Sequence, residues 1–275
     1  MTEPTLYPES GFLRLRIDLA YDGTNFYGWG KQPDRRSVQE EVEKAIAKIS
    51  QSKVDSIVAG RTDAGVHATG QVIHVDVPES INLDEIAYKL NRILDEDIRI
   101  MQVRIAPEGF HARFSALRRA YTYKILDKNL PIPPINRFDI ASWYRPLDVD
   151  QMNHASALLL GTHDFAAFCK FREGATTIRT LETYQWRRDR DGYLVGDVVA
   201  DAFSVDHLHL EHVLAPSVEA GAGVYTPTQF IVFATGIKAL VTELSEHASN
   251  LVVTEVTIIA IAYTQVGQIV IGLKY

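Results

Sequence analysis

The stretch from Ala59 to Gly70, which reads AGRTDAGVHATG, brings residues that could do chemistry close together. Arg61, Thr62 and Asp63 supply a cation, a hydroxyl and a carboxylate between two glycines. Because glycine has no Cβ, the backbone can bend sharply enough to aim neighbouring side chains into one small space. The pattern predicts an active-site loop. Asp, Thr and Gly are also ordinary turn residues, so a plain hairpin connection stays open.

The same loop resembles a known family. GRTDAGVHATGQV is similar to the signature of the TruA-type tRNA pseudouridine synthases, and the resemblance runs from about Phe12 to Phe203. Three other segments agree with that family in order and spacing: YDGTNFYGWGKQ (21–32), FHARFSALRRAYTYKI (110–125) and GTHDFAAFC (161–169).

The resemblance implies a reaction and roles for individual residues. It implies an isomerase that converts uridine to pseudouridine in the tRNA anticodon stem-loop, at positions 38–40, with Asp63 as the catalytic carboxylate and Tyr121 stacked on the target base. We expect Arg61 to contact phosphate or to order Asp63, since arginine presents a planar fork of donors. His67 and Arg113 are further candidates for substrate binding. Tyr121 could instead belong to a core pair with a neighbouring tyrosine.

The reaction and the family also predict the partners. The isomerisation involves no redox or group-transfer step, so we expect no cofactor and no nucleotide cofactor. We expect tRNA as a partner and, as the resemblance implies, a homodimer.

Beyond Phe203 the sequence departs from the family. In the family, a helix that opens with Met-Val-Arg supplies an arginine to the catalytic carboxylate, whereas no arginine follows Arg190 here. A buried carboxylate without a cationic partner is costly to keep ionised. Either Arg61 substitutes, or the chain is a catalytically impaired tRNA-binding relative. Residues 204–275 are therefore of uncertain origin, and a shifted reading frame or a fused sequence is one hypothesis.

An alternative from another class is a small-molecule hydrolase. Asp63 and His67 lie four residues apart and could act together as a carboxylate and a base. Such an enzyme would not act on RNA, so uridine conversion without an added cofactor would exclude it.

Composition limits the remaining classes. The chain has 275 residues, of which 46% are hydrophobic, and its first residues lack a basic region followed by an apolar one. No apolar run approaches the roughly 20 residues that span a bilayer, so we expect a cytoplasmic protein that does not bind a membrane. A single cysteine, Cys169, excludes an intrachain disulfide and a multi-cysteine zinc site. Two short histidine patterns, His74 with Asp76 and the HLHLEH stretch at 207–212, lack enough ligands for a metal site, so we predict none.

Net charge is unusual for a protein that binds nucleic acid. The formal charge is −7, of which residues 205–275 contribute −4. Basic residues nevertheless cluster, and local patches can bind a polyanion despite net acidity. The clusters are Lys31, Arg35 and Arg36; Arg113, Arg118, Arg119 and Lys124; and Arg187, Arg188 and Arg190. Each cluster could also be a solvated face. The aromatic residues at 21–29 could likewise stack on bases or pack against each other.

The elements that must position the loop follow from apolar periodicity. Residues 12–21 alternate as a strand with one wet face, and Ser37 with Glu40 predicts a capped helix of about 13 residues. The rest of the first half reads as strands at 54–59, 71–77 and 98–105 and a helix at 83–94. The second half reads as strands at 119–126, 178–187, 193–202, 251–263 and 265–273 and helices at 148–160, capped by Asp148, and 230–247.

The order of these elements predicts the fold class. The first half follows the β-α-β-β-α-β order of a ferredoxin-like, split β-α-β unit. We expect an α+β protein in which two such units form a shared, mainly antiparallel sheet with helices on one face and the active-site cleft between them. The predicted domains are residues 1–108, which contain the catalytic loop, and residues 109–275.

Overall fold

The computed structural model describes residues 6–128, 130–144, 146–165 and 176–201, together with the backbone of 267–270. These residues form two compact units, one containing those up to Tyr121 with 268–270 and the other those from Thr122 to 267. The domain boundary after residue 108 stays a prediction. No helix within these ranges is long and apolar enough to cross a membrane.

The first unit has the predicted element order. Its sheet order is β4-β1-β3-β2, and each neighbouring pair is antiparallel. This is the strand order of a split β-α-β unit, and the α+β class is confirmed. The elements are β1 (Phe12–Tyr21), α1 (Val38–Ser50), β2 (Ile57–Val58), β3 (His67–Pro78), α2 (Ile86–Ile93) and β4 (Ile98–Ile105).

Both helices of this unit cover one face of the sheet. Side chains from the helices and from alternate strand positions form a single buried cluster, which removes apolar surface from water. The cluster includes Leu15, Ile17 and Leu19 of β1, Ile73, Val75 and Val77 of β3, Val42 and Ile46 of α1, and Ile86 and Leu90 of α2.

The opposite face of the sheet is covered as well, which corrects the predicted wet face. Arg14 and Arg16 are only 5% and 6% exposed. Arg14 forms a two-pronged ion pair with Asp76 and donates from Nη1 to the carbonyl oxygen of Phe110 at 3.0 Å. The guanidinium of Arg16 lies over the ring of Phe110, 5.8 Å from its centre. The FHARF segment therefore packs on the face that alternation alone marks as polar.

His74 also lies on this covered face of the sheet. Its ring is buried, and its Nδ1 accepts a hydrogen bond from the backbone N–H of Ala112 at 3.0 Å. The ring of His111 lies 4.8 Å away, edge to face. His74 thus fixes residues 110–112 to the centre of β3.

Helix α1 has the predicted length of 13 residues, but its capping differs. Ser37 occupies the N-cap position with extended backbone, yet its side chain makes no capping hydrogen bond. The helix is held instead by its loop, because the N–H groups of Val38 and Gln39 donate to the carbonyl oxygens of Gly28 and Trp29 at 3.3 and 3.0 Å. Tertiary contacts therefore replace the side-chain cap.

The second unit contains an antiparallel β7-β8-β9 sheet with β5 beside β9. The predicted cap of α3 is confirmed, since Asp148 accepts from the N–H groups of Asp150 and Gln151. The elements are β5 (Arg119–Leu126), which begins in the first unit, β6 (Ala141–Ser142), α3 (Val149–Ala157), β7 (Gly161–Asp164), β8 (Ile178–Arg188) and β9 (Leu194–Ala200).

Several predictions for the second half lie outside the described residues. These are Cys169, Phe203, the 207–212 histidines, the helix at 230–247 and the strand at 251–263. A short strand, β10 (Gly267–Val270), falls within the predicted strand at 265–273 and pairs in parallel with the start of β3. A second ferredoxin-like unit, a shared sheet and a cleft between the units stay predictions.

The buried His74 predicts a pH-dependent stability. Burial, together with the nearby Arg14 and His111, lowers the pKa of His74 to about 3. The unfolded chain takes up this proton near pH 6.5, so protonation favours unfolding below that pH. We expect the free energy of unfolding to fall below about pH 6.5, by up to ~1.4 kcal/mol per pH unit for this residue.

Urea unfolding at pH 7, 6 and 5 measures this dependence. His74→Gln keeps an acceptor but cannot titrate, so its free energy of unfolding should depend less steeply on pH than that of the wild type. His154→Gln, at an exposed position, is the matched control and should keep the wild-type dependence. Equal slopes for wild type and His74→Gln would contradict the assignment.

Candidate active site

The predicted catalytic loop is a tight connection between β2 and β3. Because β3 begins at His67, earlier than predicted, the irregular part is only residues 59–66. Gly65 has a φ of +78°, a conformation that favours glycine, and the N–H of Val66 donates to the carbonyl oxygen of Asp63 at 3.2 Å. The turn projects Asp63 immediately before β3.

A second loop, residues 21–29, lies directly against this one. Gly23 and Gly28 make the approach possible, because a Cβ at Gly23 would overlap the carbonyl oxygen of Val66. A Cβ at Gly28, where φ is +90°, would lie 2.7 Å from the carbonyl oxygen of Thr62 and 3.1 Å from the carbonyl carbon of Asp63. Only a residue without a side chain allows backbone to approach backbone so closely.

Backbone hydrogen bonds join the two loops. The N–H of Trp29 donates to the carbonyl oxygen of Thr62 at 2.9 Å, and the N–H of Gly65 donates to the carbonyl oxygen of Phe26 at 3.1 Å. These bonds lie on either side of Asp63 in sequence. The position of the Asp63 backbone is therefore determined from both directions.

Buried polar side chains also hold the 59–66 loop in place. The hydroxyl of Tyr21 lies 2.7 Å from Oγ1 of Thr62, and Nε2 of Gln71 donates to that hydroxyl at 3.2 Å and to the carbonyl oxygen of Gly60 at 2.8 Å. Burial raises the pKa of Tyr21 to about 12, although the hydrogen bonds act in the opposite sense. The phenol stays protonated and can donate to Thr62.

The start of β5 anchors the beginning of the loop. Arg119 donates from Nη2 to the carbonyl oxygen of Ala59 at 2.7 Å, and the N–H of Ala59 donates to the carbonyl oxygen of Val72 at 2.9 Å. Tyr121 follows two residues later on the same side of β5 and is 4% exposed. A base can stack on its ring only when that ring becomes accessible.

The two predicted active-site residues of the loop differ in their surroundings. Asp63 is half-buried, so its carboxylate keeps part of its solvation and does not meet the full cost expected for a buried charge. Arg61 is exposed and makes no hydrogen bond or ion pair with any residue that the structure describes. Arg61 is therefore available to a ligand, and it does not form an ion pair with Asp63.

His67 contacts the neighbouring loop. Its Nδ1 lies 3.2 Å from the backbone nitrogen of Gly23 and 3.0 Å from Oδ1 of Asp22. One nitrogen cannot accept from Gly23 and donate to Asp22 at once, so Nδ1 carries a hydrogen in one contact and none in the other. Burial acts to raise the pKa of Asp22, but hydrogen bonds from Thr24 and the nearby His67 outweigh it and lower this pKa.

Arg113 is exposed, and its ring contact is with Phe114, whose centre lies 5.8 Å from the guanidinium carbon. Among the described residues it makes no hydrogen bond or ion pair with the 59–66 loop. The structure therefore ties Thr62 and His67 to the 21–29 loop, on either side of Asp63 in sequence, and it places the guanidinium of Arg113 against the ring of Phe114.

Sequence reasoning did not identify the residues that hold the loop. Tyr21 is the last residue of β1, and Gln71 lies in β3. Nothing in the local sequence pairs these two residues, and only the register of β1 with β3 brings their side chains together. The two glycines, Gly23 and Gly28, occur within an aromatic-rich segment, and their spacing from the 59–66 loop gives no local signal.

A family model described as tRNA pseudouridine synthase matches residues 19–115 and 155–210, more than half of the chain. The chain belongs to the tRNA pseudouridine synthase family. Both loops and the FHARF segment lie in the matched residues of this family member, whereas Tyr121 lies between the two matched stretches.

Individual relatives in this family are similar over most of their length. The tRNA pseudouridine synthase A of Frankia casuarinae is 52% identical over 194 residues, 70% of this chain and 71% of the relative. That of Streptomyces griseus is 52% identical over 201 residues, 71% of each chain. That of Leifsonia xyli is 44% identical over 238 residues, 79% of this chain and 82% of the relative.

A carboxylate at Asp63 can act as a nucleophile or as a general base. Within the described ranges, no group of three or more His, Cys, Asp or Glu residues is arranged to bind a metal ion. The described residues of this loop therefore offer two groups for chemistry. One is the half-buried carboxylate of Asp63, and the other is the exposed guanidinium of Arg61.

The close approach of the two loops predicts a position-specific effect of alanine. Gly23→Ala should force the loops apart, because its Cβ would overlap Val66, and should destabilise the protein by about 1–3 kcal/mol. Amide hydrogen exchange at Trp29 and Gly65 should become at least about tenfold faster.

Gly30→Ala provides the matched control in the same segment. A Cβ at Gly30 meets nothing within 4 Å, so exchange at Trp29 and Gly65 should not change. Equal exchange rates in the Gly23→Ala and Gly30→Ala variants would show that the loops do not depend on this contact.

Proposed function

We propose that this chain isomerises uridine to pseudouridine in tRNA, with Asp63 as the catalytic residue. The observation that supports this most directly is the loop itself: a partly solvated carboxylate lies on a backbone that is fixed by Tyr21, Gln71 and the neighbouring glycine loop. Membership of the family supplies the reaction, and the relatives named above are tRNA pseudouridine synthases.

The reaction replaces one bond between base and sugar with another and uses no external reactant. The bond from C1′ to N1 breaks, the detached uracil rotates, and C5 bonds to C1′. The C5 proton is lost and N1 gains a proton, so atoms and charge balance without oxidant or cofactor. Asp63 can attack C1′, add to the base or remove a sugar proton, and each of these uses the ionised carboxylate.

The other candidate residues have different supporting observations. Arg61 is exposed and makes no ion pair with a described residue, which suits a contact to substrate phosphate. Tyr121 would stack on the detached base, and its burial requires that RNA binding open access to its ring. His67 and Arg113 are proposed to bind substrate as well, His67 beside the 21–29 loop and Arg113 on an exposed segment.

The finer features of the function are proposed from the family resemblance. They are action on the anticodon stem-loop at positions 38–40, a homodimer, a cytoplasmic location and a domain boundary after residue 108. An RNA stem-loop suits the chemistry because its bases can leave the stack, at a cost of a few kcal/mol. Within the basic clusters, Arg36 and Arg188 are engaged by carboxylates, whereas the exposed Arg35 and Arg113 can contact phosphate despite the net charge of −7.

Two alternatives make different predictions. The absence of any arginine after Arg190 motivates the impaired relative, which would bind tRNA without converting uridine. The small-molecule hydrolase would require Asp63 and His67 to act together on a substrate other than RNA. The contacts of His67 with Gly23 and Asp22 favour a role in supporting the loop.

Tritium release from a transcript of tRNA labelled at C5 of uridine tests the proposal. Wild-type protein should release tritium without cofactor, and Asp63→Asn should abolish release while tRNA binding persists. Asp55→Asn is the matched control, because Asp55 is an exposed carboxylate near β2, and it should keep wild-type activity.

Each outcome distinguishes among the candidates. Tight tRNA binding without release by the wild type would indicate the impaired relative, and no tRNA binding would favour the hydrolase. Release from a transcript that carries cytidine at positions 38–40 would contradict the proposed positions but not the reaction.

A further inference from the structure

The aromatic loop at residues 21–29 has two kinds of aromatic side chain. Tyr21, Phe26 and Trp29 are 5% exposed or less and belong to the core of the first unit. Tyr27 is 50% exposed. The sequence left open whether this loop stacks on bases or packs against itself; in the structure the first three side chains pack in the core and that of Tyr27 is half-exposed.

The two neighbouring arginines divide in the same way. Arg36 is committed to structure, because it forms ion pairs with Asp95 and Asp97 and lies 4.1 Å from the centre of the Phe26 ring. Arg35 is exposed and lies 4.7 Å from the centre of the Tyr27 ring. Arg35 makes no ion pair with any residue in the described ranges. Its charge is therefore available to an anion.

Backbone contacts hold the exposed pair in place. The N–H of Tyr27 donates to the carbonyl oxygen of Arg36 at 3.0 Å, and Nε2 of Gln32 donates to the carbonyl oxygen of Tyr27 at 2.8 Å. A bridge between Gln32 and Arg35 closes the turn that carries the arginine. The backbone of both residues is thus fixed before any ligand binds, which reduces the entropic cost of binding.

We propose that Tyr27 and Arg35 form a binding platform for an unpaired nucleotide of the RNA substrate. The base stacks on the exposed Tyr27–Arg35 surface, and the guanidinium of Arg35 binds the adjoining phosphate. The inference rests on the proposed function, since it assumes that RNA reaches Asp63. It adds a second point of contact outside the catalytic loop.

The chemistry of the pair suits RNA. Bases stack on tyrosine rings and on guanidinium planes, and arginine binds phosphate through two parallel hydrogen bonds. The position suits it as well, because Gly28, the next residue, lies against the backbone of Thr62 and Asp63. The platform therefore belongs to the loop that supports the catalytic carboxylate, where a nucleotide near the target uridine would pass.

A second exposed tyrosine–arginine pair provides the matched control. Tyr88 is 63% exposed on α2, and Arg92 lies 5.7 Å from its ring centre and donates to its hydroxyl at 3.1 Å. This pair resembles the platform in composition and exposure but lies on a helix, outside both loops. It should not contribute to tRNA binding.

Equilibrium binding of a tRNA transcript by the full chain tests the platform. All variants carry Asp63→Asn so that the RNA is not converted during the measurement. Tyr27→Ala should weaken binding by about 5- to 150-fold, the range for loss of one base–aromatic stack, whereas Tyr27→Phe should bind within about twofold of the parent. Tyr88→Ala should also stay within about twofold.

Salt dependence separates the phosphate contact from the stack. Arg35→Ala should reduce the slope of log affinity against log salt by about 0.7–0.9, the value of one phosphate, while Tyr27→Ala should leave the slope unchanged. Arg92→Ala is the control for this arm and should keep the parent slope. Thermal melting of each variant checks folding, and the exposed Arg35→Ala keeps the test valid if Tyr27→Ala is unstable.

Three results would overturn the platform. One is tRNA affinity in Tyr27→Ala equal to that of the parent, and another is an equal loss in Tyr88→Ala. The third is a change in sedimentation of Tyr27→Ala without loss of affinity, which would assign the surface to contacts between copies of the chain.

Tritium release distinguishes failure of the platform from failure of the proposed function. Release by the protein with Asp63 intact, together with unchanged tRNA binding in Tyr27→Ala, would overturn the platform alone. Binding that depends on Tyr27 and Arg35 without any release would support the platform and contradict the proposed isomerase.

Discussion

The close contact between two backbone segments, residues 23–29 and 62–66, is the constraint on which the candidate site depends. It exists because Gly23 and Gly28 present no side chain to the carbonyl groups of Thr62 and Val66. Two cross-loop hydrogen bonds and the buried Tyr21–Thr62 contact then hold the loops together. The backbone before and after Asp63 is fixed by these contacts. A carboxylate can thereby remain partly solvated and still occupy a defined position.

The arginines of the first unit fall into two groups, those held by structural contacts and those that make no ion pair with a described residue. Arg14 and Arg36 are engaged by carboxylates and carbonyl groups, and each joins a loop to the sheet or to a neighbouring turn. Arg35 and Arg61 make no ion pair within the part of the chain that the structure describes. Because a polyanion needs cations that are not already neutralised, total charge is a poor guide to binding here. A chain with a formal charge of −7 can still present arginines to RNA.

The sequence was most informative where local physics determines structure. Strands β1, β4 and β5 have the predicted bounds, because alternation of apolar residues depends only on which face is buried. The predicted wet face of β1 was wrong, since the segment at 110–112 that covers it is remote in sequence. The cap at Ser37 failed for a similar reason, because the 21–29 loop supplies the partners of α1. Asp63 could be proposed from resemblance, but its supports, Tyr21 and Gln71, depend on the register of two strands.

The most direct test of this account is a double-mutant cycle between Tyr21→Phe and Thr62→Val, read out as the single-turnover rate of pseudouridine formation in tRNA. Both changes remove one hydrogen-bonding group at nearly constant shape and leave Asp63 in place. If the Tyr21–Thr62 contact positions the loop, either variant should slow the reaction about tenfold, or ~1.4 kcal/mol, with unchanged tRNA affinity. The double variant should then be no slower than either single variant. Wild-type rates, or two independent effects that multiply, would contradict the claim that this contact holds the Asp63 carboxylate in position.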